Sequence, residues 1–235
     1  VLKQIRADWL AGKTDAAATT ELLAAFRQCS DFEASKKAVQ VINRGVSPAS
    51  VWDAVLLGAG ELLMRAPAIR SLHPVTTANA LHYAFTASAS DETRRFLTLQ
   101  AASCLPFFRG DAAKNKGVEI DSFEAVALKD GGAGAGAVDE IRADVSGDKL
   151  AASRKILTWA KATPAPRELM AAARRLIFLK GRDSHDYKFS SAALEDFFHC
   201  TPAWRNRFPA SSVFWLKGSG APDNDLVKRA RAALA

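Results

Sequence analysis

The segment SPASVWDAVLLGAGELLMR (Ser47–Arg65) decides the fold class. Ser47 can accept a hydrogen bond from a first-turn amide. Pro48 stands at the first helical position, where its missing N–H costs nothing. Val51, Val55, Leu62 and Trp52, Leu56, Leu63 make apolar rows on more than one side. The helix they predict, ending at Arg65 before Pro67, therefore belongs inside a core. Gly58 and Gly60 each cost about 1 kcal/mol against alanine, which close approach of a neighbouring backbone would offset. Asp53 and Glu61 lie roughly on one face of this helix.

Working outward, the same signals recur. Leu2, Ile5 and Trp9 are spaced as on a short amphipathic helix closed by Gly12. Thr14 or Asp15 caps a helix to about Gln28, and Phe32–Asn43 forms the next, ending before Gly45. His73-Pro74 opens a helix to about Ser88. Asp91 caps another reaching Arg109, with Pro106 kinking or ending it. Helices resume near Val138, then over about 149–162, 166–180, 183–200, 202–216 and 223–235. Val118–Leu128 carries only a weak strand pattern. Gly131, Gly132, Gly134 and Gly136 predict a flexible loop near 129–137. This loop can be forced onto a dinucleotide-binding G-x-G-x-x-A, but the βαβ unit that such a motif needs is missing. The expectation is an all-α protein, a multi-helix bundle or helical array of about nine to eleven helices, in a single domain over 1–235.

Composition narrows the function classes. The chain has 235 residues, 49% of them hydrophobic and 24% charged, ordinary for a globular protein. No apolar run reaches the roughly 18 residues of a membrane span. No basic segment followed by an apolar one marks a signal peptide. The expectation is a soluble protein, cytoplasmic or exported after removal of an unseen signal. Cys29, Cys104 and Cys200 match neither a disulfide framework nor a zinc pattern. The net charge of +7 is unevenly spread. Residues 151–235 carry 15 Lys+Arg against 7 Asp+Glu, a net +8. These cations are dispersed over several helices without a nucleic-acid motif, so nucleic acid is not the expected partner.

No G-x-S-x-G, P-loop, H-E-x-x-H or paired E-x-x-H is present, so no metal is expected and no cofactor is indicated. The four histidines carry the chemistry. At about 100° per residue, His73 and His82 point to opposite faces of one helix and cannot share a ligand. His185 and Lys188 are neighbours at i,i+3 behind the N-cap candidate Asp183. A histidine beside a lysine suits an anion or a carbonyl oxygen. His199 lies about 21 Å further along the same helix, too far to share a small site with His185. His73 and His185 are both expected at helix N-termini, where free N–H groups attract anions.

Two stretches carry a family resemblance. LHPVTTANALHYAF (Leu72–Phe85) resembles the His-x-Val-Thr…Ala-Leu segment of questin oxidase-like proteins, and DSHDYKFSSAAL (Asp183–Leu194) is similar to the family's later His…Lys helix. The lead-in NRGVSPASVWDAVLLGAGELL fits the helix before the first motif, so the likeness covers about residues 40–195. It implies an all-helical fold and an oxidoreductase that opens rings of polycyclic aromatic ketones with oxygen, in a Baeyer–Villiger manner. It further implies His73, His185 and Lys188 as catalytic residues. Thr76, Thr77 and Phe189 are the expected ligand contacts beside them. A small carbonyl-bearing or anionic ligand is the expected partner. The alternative is a non-catalytic helical interaction protein whose basic C-terminal third meets an acidic partner.

Overall fold

The computed structural model describes residues 1–110, 117–129, 135–163 and 166–235. Among them are eleven α-helices and no strand: α1 (Ala16–Phe26), α2 (Asp31–Asn43), α3 (Pro48–Arg65), α4 (Ile69–Ala87), α5 (Asp91–Arg109), α6 (Ala135–Val145), α7 (Lys149–Ala162), α8 (Arg167–Lys180), α9 (Ser184–His199), α10 (Arg207–Ser212) and α11 (Asp225–Leu234). Residues 130–134 of the expected glycine loop lie outside the described residues, and Gly136 already belongs to α6.

α3 is the axis of the packing. It is capped by Ser47, whose hydroxyl accepts from the Ala49 amide, with Pro48 at its first position. Fifteen of its eighteen residues are buried, and it packs against α1, α4, α5 and α10. A helix so enclosed has no solvent face, as its apolar rows require. The glycines of α3 do admit close neighbours, but these are side chains. A Cβ on Gly58 would lie 2.7 Å from Leu105 Cδ1 of α5, and one on Gly60 would lie 2.5 Å from Ser211 Oγ of α10.

Elsewhere the local chemistry revises several boundaries. The N-terminal segment is two 3-10 turns, Leu2–Gln4 and Trp9–Ala11, not one helix. Side-chain anchors hold it instead: Trp9 Nε1 donates to Asp91 Oδ1 at 2.7 Å, and Arg95 donates to the Ile5 carbonyl at 2.7 Å. Ser30 and Glu33 close a capping box on α2, and Ser90, not Asp91, caps α5. Pro106 sits within α5 without ending it. Residues 202–216 yield only the six-residue α10, with turns on either side of it and Pro209 at its third position. Val118–Leu128 is irregular, with no strand.

α4 corrects the most consequential boundary. It starts at Ile69, one turn before the expected point, and Pro74 lies inside it. The first four amides of a helix have no intrahelical acceptor. A proline just past them deletes a single bond, the one to the Arg70 carbonyl, and is carried by packing since Pro74 is buried. His73 therefore sits in the second turn of α4 rather than at its N-terminus.

The chain crosses itself tightly at Gly12. A Cβ there would lie 2.6 Å from the carbonyl carbon of Val46 and 2.7 Å from Ser47 N, beside the isolated parallel bridge between Lys13 and Val46. Neither neighbour can rotate away. Gly12→Ala is expected to cost about 1–3 kcal/mol, the usual penalty of overpacking. Urea unfolding followed by tryptophan fluorescence measures it.

Candidate functional site

All four histidines fall on one seam between α4 and α9. His73 meets His185, with ring centroids 5.7 Å apart and planes at 74°. His82 meets His199, with centroids 4.2 Å apart and planes at 32°. Between the pairs, Asn79 Nδ2 donates to Asp196 Oδ1 at 2.9 Å and to Glu195 Oε2 at 3.1 Å. Residue numbers rise together along both helices, so α4 and α9 run in the same sense.

The outer pair faces solvent. His73 is exposed and His185 half-buried. Asp183 caps α9 by accepting from the amides of His185 and Asp186, and its Oδ1 lies 3.4 Å from His185 Nδ1. That contact orients the imidazole. Phe108 of α5 completes the surround of His73, at 6.2 Å between ring centroids. Thr76 is half-buried, and its hydroxyl donates to the His73 carbonyl at 3.1 Å. Thr77 is half-buried and Lys188 exposed. Phe189 turns into the core, 1% exposed, against Trp215.

The inner pair is the more constrained. His82 is buried, its ring edge-on to Trp52 at 4.9 Å, with Phe85 at 6.1 Å. Burial above all, then the charge of His199, pulls its pKa down to about 4. His199 moves the opposite way. Its Nδ1 lies 3.1 Å from Asp196 Oδ1, and that hydrogen bond holds it protonated above its ordinary range, against partial burial. The Asp196 side chain is wholly buried. Burial raises its carboxyl, while His199 and Asn79 pull it back. Among the described residues, ten buried side-chain N or O atoms have no hydrogen-bond partner, and three of them lie here: His82 Nδ1, Asp196 Oδ2 and Trp52 Nε1. Buried polar groups are otherwise almost always paired, so each such atom asks for a reason. The two tilted imidazoles are thus pushed in opposite directions, His82 toward its neutral form and His199 toward its charged one.

The neighbouring polar residues support this frame. Asp53 of α3 accepts from the Thr201 amide at 2.8 Å and its hydroxyl at 2.6 Å, fixing the chain just beyond His199. Cys200 between them is fully buried, and its thiol is pushed well above its ordinary range by burial. Glu61 does not join Asp53. It binds Arg27, Arg65 and the Ile120 amide beside a cavity of about 20 Å3 lined by Arg27, Gly58, Leu105 and Arg109. Among the described residues, no group of three or more His, Cys, Asp or Glu side chains could hold a metal ion, and the three cysteines are free.

The chain matches no known protein family, no characterised protein and no solved structure. The site therefore rests on its own geometry. Of the expected site residues, His73 and His185 come together, with Thr76 beside them. The inner pair was not anticipated, although a signal for it is present. Asn79 and His82 on α4, like Asp196 and His199 on α9, are polar neighbours at i,i+3, which places each pair on one helix face.

Proposed function

We propose that the α4–α9 seam is the ligand-binding and acid–base centre of a helical oxidoreductase of the questin oxidase-like kind. It takes a small carbonyl-bearing or anionic ligand at its exposed end. One observation carries this reading. The chain's four histidines, each paired with one more than a hundred residues away in sequence, form two ring-to-ring pairs on a single interface. At the mouth, His185 is the base and Lys188 the group that stabilises negative charge on oxygen, with His73 opposing them. Behind it, neutral His82 and the hydrogen-bonded Asp196–His199 pair position the helix that carries His185.

Anthraquinone-2-carboxylate, a polycyclic ketone bearing an anionic group, is a suitable probe. Its titration should shift the imidazole NMR signals of His73 and His185. Lys188→Gln should weaken binding about tenfold, the usual loss of one charge-assisted hydrogen bond. Lys188 is exposed, so folding should be unaffected. Oxygen consumption with the same ketone and a reduced nicotinamide, the two-electron donor that takes the second oxygen atom to water, tests turnover. Probe binding elsewhere, or binding indifferent to Lys188→Gln and His185→Gln, would sink the assignment.

A further inference from the structure

The basic C-terminal third presents a surface that the seam does not use. α11 has no buried residue. Around a helix, Leu226, Val227, Ala230, Ala233 and Leu234 fall within an arc of about 120°. Asp225, Lys228, Arg229 and Arg231 occupy the rest. Leu226 is 66% exposed and Leu234 89%.

This helix does not hang free. Asn224 is buried; its Oδ1 accepts from the Val227 amide, while its Nδ2 donates to the carbonyls of Phe178 and Gly181 at 2.8 Å each. Asp223 is held by Lys180 and by Arg231. α11 is thereby pinned beside the end of α8, where Phe178 stands 63% exposed and within 6.5 Å of the Tyr187 ring. A groove lined by Gly181, Arg182, Tyr187, Asn224, Asp225 and Leu226 joins the two elements. Arg182 lines this groove, Arg174 and Arg175 stand about one turn before Phe178 on α8, and Arg229 is on α11; all four are exposed, on a stretch of chain whose net charge is +8.

We propose that this face docks on the surface of an anionic lipid bilayer. An amphipathic helix with aliphatic residues on one side and Lys/Arg on the other is the interfacial pattern, and aromatic rings beside it suit the headgroup level. No described helix is long and apolar enough to cross a membrane, so attachment would be peripheral. A second copy of the same face is disfavoured because like charges would meet. A protein partner would need large anchors seated in pockets. Here much of the strip is alanine on a projecting helix, and shallow insertion into lipid requires no such anchors. The proposal stands independently of the seam reading.

Vesicle flotation of the full chain tests it, comparing phosphatidylcholine alone with phosphatidylcholine mixed with phosphatidylglycerol. Binding is expected only to the mixed vesicles and should fall as salt rises. Each cation removed among Arg174→Gln, Arg175→Gln and Arg229→Gln should lower partitioning about fivefold. The pair Leu226→Ser and Leu234→Ser should lower it about tenfold. All five side chains are exposed, so an unchanged circular dichroism spectrum should accompany each variant. The proposal is overturned by equal binding to neutral vesicles, by none to anionic ones, or by binding that neither set of variants reduces. Tight capture by soluble polyglutamate without vesicle binding would overturn it in favour of an acidic protein partner.

Discussion

Glu61→Ala is expected to destabilise the protein by about 3–5 kcal/mol, the usual cost of removing one partner from a buried ion pair. Glu61 is 3% exposed. Its two oxygens take Arg27 at 2.9 and 2.6 Å, Arg65 at 2.8 Å and the Ile120 amide at 2.9 Å. The substitution leaves two guanidinium groups without this carboxylate and detaches Ile120 from α3. Arg27 keeps its contact with Asp121, which favours the lower end of the range. Glu61→Gln retains an acceptor for Ile120 and should lose less. Chemical denaturation of both variants measures the difference. A loss below about 1 kcal/mol for the alanine variant, the range of exposed pairs, would show that the network is not the clamp described here.

The second large effect is a dependence on pH that one residue controls. His82 has a folded-state pKa of about 4 against an ordinary 6.5. Between these values the unfolded chain binds a proton that the folded chain refuses. The contribution of neutral His82 is complete above pH 6.5 and is lost as pH falls towards 4, by about 3 kcal/mol. His199 works in the other direction. Its pKa is raised, so its contribution is present below its ordinary value and is lost as pH rises through the folded one. Asp53 and Asp196, both raised by burial, favour the folded state as acid is added and offset part of the loss. The informative quantity is therefore the stability difference between the wild type and His82→Phe. It should shift by about 3 kcal/mol against the wild type between pH 6.5 and 4. A difference that stays constant with pH would contradict the buried neutral imidazole.

The helical class was legible because each signal for it is local. Ser47 and Pro48 start α3 through one side chain and one missing N–H, and its apolar rows require enclosure wherever it sits. Boundaries failed where one residue type serves two purposes. Pro74 reads as a helix opener, yet here it lies inside α4 and packing carries its cost. The spacing of His73 and His82 predicted opposite faces of α4, but both lie on its α9 side. It could not reveal that each would meet a histidine of α9, because partner choice depends on how two distant helices cross. Glu61 and Asp53 share a helix and a face in sequence, but their partners, Arg27 and Thr201, come from opposite ends of the chain. Spacing put the two carboxylates on one face, and the fold makes of them two separate anchors.

The seam also has a place in the order of folding. Bonds among α1 to α5 span up to 83 residues, as between Arg109 and Phe26, whereas the Asn79–Asp196 and Asp53–Thr201 bonds span 117 and 148. Closing such long loops is entropically costly, and contacts of high sequence separation slow folding. The N-terminal helices can thus assemble before α9 arrives, leaving the side of His82 that meets His199 open to water until α9 docks. The imidazole of His82 then becomes a gauge of completed assembly. While it titrates near its ordinary value the chain is unfinished, and its change of environment marks the moment the two halves of the molecule join.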